Sequence, residues 1–386
     1  MKQYQFIAKT LAGMEEALAE ELISLGAQEV KPVIRGVSFS GDKALMYKVN
    51  YQSRLAIRFL VSIQSFPAIN EKELYKSIYS VAWENYMDSA ATLAVDAVTQ
   101  HPKMTHSLFI AQLAKDAVVD RFRNQEGVRP SVDLDTPDLR IHVHLDHKEA
   151  TILLDSSNVP LFKRGYRIGA LVAPINEVLA AGLLELSQWD EKTPLYDPMC
   201  GSGTFLIEAA MKATKTPAGK YRSEFGFMKW KDFDEKLWHQ VKEEAEALIV
   251  PLEVEIKGSD LSRRAITMAR RNIEAAGFSD VIHTEWQDFF QQTKNFSGFI
   301  ITNPPYDERL SLTDFEAFYK NIGTTLKHLC TNSQAWLIVS SPDATDAIGL
   351  HSSRKIKVFN GSIECRFLKY DIYQGSKKDF QQELTT

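Results

Sequence analysis

The chain has 386 residues, 44% hydrophobic and 25% charged, with a net charge of −5. That length exceeds one ordinary core and predicts two or more domains, and the acidic balance, spread over both halves, excludes a generally basic nucleic-acid binder and leaves room only for local basic patches. No apolar run approaches the about 18 residues of a membrane span, and Glu15, Glu16, Glu20 and Glu21 interrupt what would be the apolar core of a secretory signal, so a cytoplasmic protein is expected.

The first elements read as mixed α and β. "YQFIAKT" alternates as a strand, and Leu11, Met14, Leu18, Leu22 and Leu25 recur at helical spacing up to a stop at Gly26. "PVIRGVSFS" predicts one strand, followed by a helix near Lys43 to Gln52 and a strand through "LAIRFLVSIQ". Residues 1–65 are thus expected to form a small α/β unit. A second unit, 66–157, carries a helix from Glu71 to Trp83, the strand "ATLAVDAVT", a helix from Ser107 to Arg123, and the strands "LRIHVHL" and "EATILLDSS" about a turn at Asp146-His147-Lys148. His142 and His144 alternate with Ile141, Val143 and Leu145, which places them on the polar face of a strand. Cys200, Cys330 and Cys365 lie far apart without ligand spacing, so neither disulfide nor metal is expected.

After a linker at 158–166, helices and strands alternate from 167 to 386, with an insertion at about 212–250. This grammar predicts a doubly wound, mostly parallel sheet of seven strands whose ligand site lies beyond the strands' C-terminal ends. Four such ends carry chemistry. Asp197-Pro198-Met199-Cys200-Gly201-Ser202-Gly203-Thr204 joins a strand to a helix through glycines that let backbone approach a ligand. It matches neither a P-loop nor the dinucleotide fingerprint, since Leu206 stands where a third glycine is needed. Asp260 ends the next strand, where a carboxylate can accept bonds from ribose hydroxyls. Asp288, beside Phe289, can accept from an adenine amino group while the ring packs on the base. Either carboxylate alone is more often an ordinary helix cap.

The fourth end is "NPPY". After the apolar run 299–302, Asn303 and two prolines forbid a return to ladder or helix. An amino group conjugated to an aromatic ring is a poor nucleophile. The Asn303 amide oxygen and the Pro304 carbonyl, held by Pro304 and Pro305, could bind both of its N–H groups and direct its lone pair, with Tyr306 stacked on the ring.

With these elements in this order, residues 167–386 resemble class I S-adenosylmethionine-dependent methyltransferases, and "NPPY" resembles the branch acting on amino groups of planar systems. "VRPSVDLDTPDLRIHV" and "LFKRGYR" resemble the end of a THUMP domain and its junction with such a domain, as in the bacterial THUMP-domain RNA methyltransferases of the RlmL and YpsC type. The resemblance implies a ferredoxin-like unit and a THUMP domain ahead of the catalytic domain. It also implies S-adenosylmethionine as cofactor, bordered by Asp197, Pro198, Cys200, Gly201, Gly203, Thr204, Asp260, Leu261, Asp288, Phe289 and Asn303, and Asn303 to Tyr306 at the target base. The implied activity is methylation of guanine N2 in RNA, with 23S ribosomal RNA or a large-subunit assembly intermediate as partner and the enzyme a monomer or weak homodimer. Lys163, Arg164, Arg167, Lys220 and Arg222 are candidate RNA contacts, the last two in an insertion whose lysines and aromatics suit either a phosphate-gripping, base-stacking surface or a plain helical subdomain. Methylation of adenine N6 in DNA or of protein glutamine tolerates the same four site residues, and a non-catalytic RNA-binding or ribosome assembly factor is the remaining alternative.

Overall fold

The computed structural model describes residues 2–169, 174–305 and 312–374. They fall into two units that do not follow chain order: residues 222–247 pack with the first unit, and residues 11–13 with the second.

The first unit is built on one eight-stranded sheet. Its elements are β1 (Tyr4–Lys9), α1 (Glu15–Leu25), β2 (Gln28–Val33), β3 (Gly36–Gly41), α2 (Lys43–Gln52), β4 (Arg58–Pro67), α3 (Glu71–Ser80), β5 (Thr92–Thr99), α4 (Ser107–Glu126), β6 (Ser131–Val132), β7 (Leu139–Asp146) and β8 (Glu149–Asp155). The strand order is β2-β3-β1-β4-β8-β7-β5-β6. Strand β4 is long enough to pair with β1 along Arg58–Ser62 and with β8 along Leu60–Pro67, which fuses the two N-terminal segments into a single sheet. Helix starts follow local chemistry: Asp42 accepts from Leu45 N (2.9 Å), and Asn70 from Glu73 N (3.0 Å) while Glu73 accepts from Ile69 N (3.1 Å). Strand β7 buries Leu139, Ile141, Val143 and Leu145 and leaves His142 and His144 half-buried on its other face, as the alternation predicts. The expected single strand at 32–40 is instead two strands, β2 and β3. The turn falls at Ile34-Arg35, where Arg35 takes φ +53° and Ile34 is 86% exposed; a β-branched apolar residue at the tip hides the turn from a pattern reading.

Residues 222–247, including α7 (Glu235–Glu246), overturn the reading of the insertion as an aromatic surface for bases. Phe225, Phe227 and Trp238 are buried in a ring cluster with Tyr47 and Tyr51 of α2: Phe227 lies 4.5 Å from Tyr47, and Trp238 5.4 Å from Tyr51, between ring centroids. Tyr51 donates to Glu246 (2.5 Å), and Lys229 and Lys231 pair with Asp138 and Asp88 (3.3 and 2.6 Å). The aromatics pack a core and the lysines answer local acids.

The second unit holds α5 (Glu177–Ser187), β9 (Leu195–Asp197), α6 (Thr204–Ala213), β10 (Ile256–Asp260), α8 (Arg263–Ala275), β11 (Ile282–Trp286), β12 (Phe299–Thr302), α9 (Leu312–Leu329), β13 (Ser333–Val339), α10 (Pro342–Ala347), β14 (Arg354–Asn360) and β15 (Ile363–Ile372). Its sheet runs β11-β10-β9-β12-β13-β15-β14, the first five strands parallel and β15 antiparallel to both of its neighbours, β13 and β14. The doubly wound, mostly parallel sheet is therefore as expected. Chain order reverses between β9 and β12, so a crevice opens beyond their C-terminal ends. No helix among the described residues is long and apolar enough to cross a membrane.

Candidate active site

A cavity of about 770 Å³ lies at that reversal, within the usual size of a small-molecule site. The ends of β9, β10 and β12 and the turn after β11 all open on it. Strand β9 ends at Asp197, 2% exposed, which accepts from Met199 N (3.1 Å). Burial pushes this carboxyl up to about 7, against the opposing effects of Thr302 and the Met199 N–H and with a further push from Asp260. The chain then turns through Gly201 (φ +55°) and Gly203 (φ +82°), left-handed conformations that side chains resist, and α6 begins at Thr204. Gly201 N–H donates to Asp260 (3.0 Å) at the end of β10, 59 residues on, and Ser262 N–H donates to the other Asp260 oxygen (2.8 Å).

Asp288 caps the short 3-10 turn Phe289–Gln291 through Phe290 N (2.9 Å), so the cap role and a cavity position coexist in one residue. Phe289 is buried against Tyr196, and the Phe290 ring meets Phe318 of α9 (5.5 Å). Strand β12 is wholly buried and delivers Asn303, Pro304 and Pro305 to the cavity wall, where the Tyr319 hydroxyl donates to Pro305 O (3.5 Å). Tyr306 lies outside the described residues. Pro198, Cys200, Gly201, Thr204 and the 68% exposed Leu261 also border the cavity, whereas Gly203 shapes the loop from behind, against Ala269.

Three of the expected RNA contacts are spent inside the protein. Arg164 is 1% exposed and pairs with Glu208 (3.3 Å), which also accepts from Tyr166 (3.0 Å). Arg167 clamps the glycine turn after β9, donating to Glu177 (2.6 Å), Ser202 Oγ (3.0 Å) and Thr204 Oγ1 (3.0 Å). Arg222 donates to the carbonyls of Val159, Pro160 and Lys163 (3.0, 3.1 and 2.8 Å). Arg164 is thereby withdrawn from the surface, whereas Arg167 and Arg222 are half-buried and hold acceptors within the protein. Lys163 and Lys220 remain exposed. Sequence reasoning missed the Arg167 clamp and the cavity residues Phe290, Phe318, Ser340 and Ile363. Phe290 adjoins Asp288-Phe289; the others have no motif and arrive by topology.

Residues 164–369 match the family model of the RMKL-like methyltransferase domain, residues 68–155 the THUMP domain and residues 5–60 the RlmL ferredoxin-like domain. The chain belongs to the RMKL-like methyltransferase family. Among its relatives, "Putative RNA methyltransferase slr0064" of Synechocystis is 37% identical over 95% of this chain and 97% of its own. "Ribosomal RNA large subunit methyltransferase K/L" of Syntrophotalea carbinolica is 38% identical over 95% of this chain but only 53% of its own, so the present chain spans about half of that protein. The crystal structure of SMU.472, "a putative methyltransferase complexed with SAH", superposes with a TM-score of 0.86 at 29% identity, covering 98% of this chain and all of the other. The stretch that matches the RMKL-like domain, residues 164–369, contains all four strand ends that line the cavity.

Proposed function

We propose that this chain transfers a methyl group from S-adenosylmethionine to the exocyclic N2 of a guanine in RNA, with 23S ribosomal RNA as the substrate, free or in an assembling particle. The observation that carries the reading is that Asn303-Pro304-Pro305 opens on the same cavity as Asp197, Asp260 and Asp288. The donor set fits the cofactor: a buried carboxylate for its ammonium, Asp260 for the ribose, Asp288 and Phe289 for the adenine. When bound, the cofactor supplies a methyl made electrophilic by a positive sulfur.

The protein's own part is alignment. The Asn303 amide oxygen and the Pro304 carbonyl accept the two amino N–H groups, which turns the nitrogen lone pair toward the donor. Pro304 and Pro305 keep those acceptors from joining the ladder, so they are oriented before the base arrives. A paired base cannot enter, and flipping it out costs a few kcal/mol, less for an unpaired one. The THUMP domain offsets that cost by holding flanking RNA, and the exposed Lys163 and Lys220, outside that domain, are further contacts. The enzyme works as a monomer or weak homodimer.

Labelled S-adenosylmethionine incubated with RNA, DNA and protein from cells lacking the gene tests the reading. Label is expected in large-subunit RNA, recovered as N2-methylguanosine by mass spectrometry. Label in DNA or protein instead removes the substrate assignment, and label in no fraction removes the enzymatic one.

Asp197 gives a pH dependence with a definite sign. Its carboxyl is raised to about 7 from an ordinary 3.8, so ionising it as pH rises through that window costs folding stability, and the cost is complete above about 7. A cationic amino group beside it favours the ionised form, so cofactor binding releases a proton below pH 7. The affinity measured by calorimetry should fall by up to about tenfold per pH unit between 7 and 5.5, and Asp197→Asn should flatten the profile. A wild-type affinity constant over that range contradicts the pairing.

A further inference from the structure

The hairpin β14–β15 carries Arg354, Lys355, Lys357, Arg366 and Lys369 against Glu364 and Asp371, on a chain whose net charge is −5. Register sets Lys357 directly opposite Arg366, and Arg354 directly opposite Lys369. Like charges facing each other across a ladder are destabilising. Strand alternation puts Lys355, Lys357 and Phe359 on one face together with Glu364 and Arg366. Lys355, Lys357 and Arg366 are all exposed. Only Lys357 has an acidic partner there, Glu364 at 2.7 Å; Lys355 and Arg366 have no ion pair among the described residues. At the tip, Ile363, which the same alternation puts on the hairpin's other face, lines the cavity.

Edge protection alone does not account for this pattern. β14 is the edge strand, and lysines on an edge deter pairing with another chain. Arg366, however, sits on the inner strand β15, where it guards no edge and repels Lys357. Acidic residues would protect an edge equally well without that repulsion. A like-charged face that Glu364 compensates only in part is stabilised by an anion from outside, and a polyanion supplies several phosphates at the spacing of neighbouring side chains.

We propose that this face of the β14–β15 hairpin binds the sugar-phosphate backbone of the RNA strand next to the target base. This rests on the RNA reading above and adds to it a contact surface on the catalytic unit itself. Lys355, Lys357 and Arg366 neutralise phosphates, the half-buried Phe359 offers a ring edge to a neighbouring base, and the tip at Ile363 leads the strand over the cavity rim.

The test compares wild type with the triple variant Lys355→Ala/Lys357→Ala/Arg366→Ala, using large-subunit ribosomal RNA from cells lacking the gene. The KM for RNA should rise by at least about tenfold, and the slope of log affinity against log salt should flatten by about two, the loss of three phosphate contacts. Cofactor affinity should stay unchanged, which shows that the variant is folded. The charge-preserving triple Lys355→Arg/Lys357→Arg/Arg366→Lys should keep both the KM and the salt slope. If wild type methylates the RNA and the alanine variant matches it in KM and slope, the hairpin assignment is overturned while the function stands. If both triple variants lose affinity equally, the positions act through packing and the assignment is again overturned. A wild type that neither binds nor labels RNA overturns both.

Discussion

Asn303→Ala is expected to lower methyl transfer by at least about 100-fold, the order of loss that follows when a reacting group is no longer held in line, while cofactor affinity stays within about threefold. The reason lies in how β12 ends. Its four residues, 299–302, are buried, and its ladder fixes the direction in which the chain leaves the sheet. Asn303, Pro304 and Pro305 then line the cavity wall, with Tyr319 of α9 bonded to the Pro305 carbonyl. Alanine leaves this frame intact and removes one of the two acceptors meant for the amino group. The bound base can then rotate about the remaining bond, and its lone pair loses its aim. Single-turnover transfer from labelled cofactor, beside calorimetry for cofactor binding, separates the two quantities. Transfer near the wild-type rate would remove Asn303 from the chemistry, and a collapse of cofactor affinity would make it part of the cofactor pocket instead.

Much of this arrangement can be read from the chain because it is local. A strand that stops at Asp197 or Thr302 with a proline just after it, or at Asp260 with the capping Ser262 two residues on, is contiguous in sequence, and the parallel alternation implies that such ends meet. Side-chain partnership is different, because it is fixed by residues far away. Arg164 and Arg167 read as exposed cations at the domain junction and Arg222 as one in the insertion, yet Glu208 and Glu177, which hold the first two, sit within largely apolar helices. A buried carboxylate on such a helix is a signal that a cation must reach it, and that signal was available in "EVLAAGLLEL" and "TFLIEAAM". The insertion misleads for a similar reason. Phe225, Phe227 and Trp238 find Tyr47 and Tyr51 nearly two hundred residues earlier, and no pattern within the insertion reveals a partner at that distance. The fused N-terminal sheet also depends on such a distant pairing, β4 with β8.

Asp260→Ala should weaken cofactor binding by about 100-fold or more, taking charge-assisted hydrogen bonds at roughly 1.5–3 kcal/mol each and two ribose hydroxyls as donors. The complication is that Asp260 already has work inside the protein. One oxygen accepts from Gly201 and the other from Ser262, so its removal also loosens the glycine turn after β9 and the start of α8. A carboxylate has about four acceptor sites, which leaves capacity for two hydroxyls beyond these two N–H groups. Loss of affinity alone therefore cannot tell a ribose contact from a loop support, but a cycle can. Wild type and Asp260→Ala are each titrated with S-adenosylmethionine and with its 2′-deoxy analogue. If the carboxylate holds the ribose, removing the hydroxyl costs wild type about tenfold and costs the variant almost nothing, because the contact is already gone. Equal losses in both proteins would mean that the two changes act independently. Asp260 would then serve only the turn that carries Gly201, and the ribose would have to find its acceptor elsewhere in the cavity.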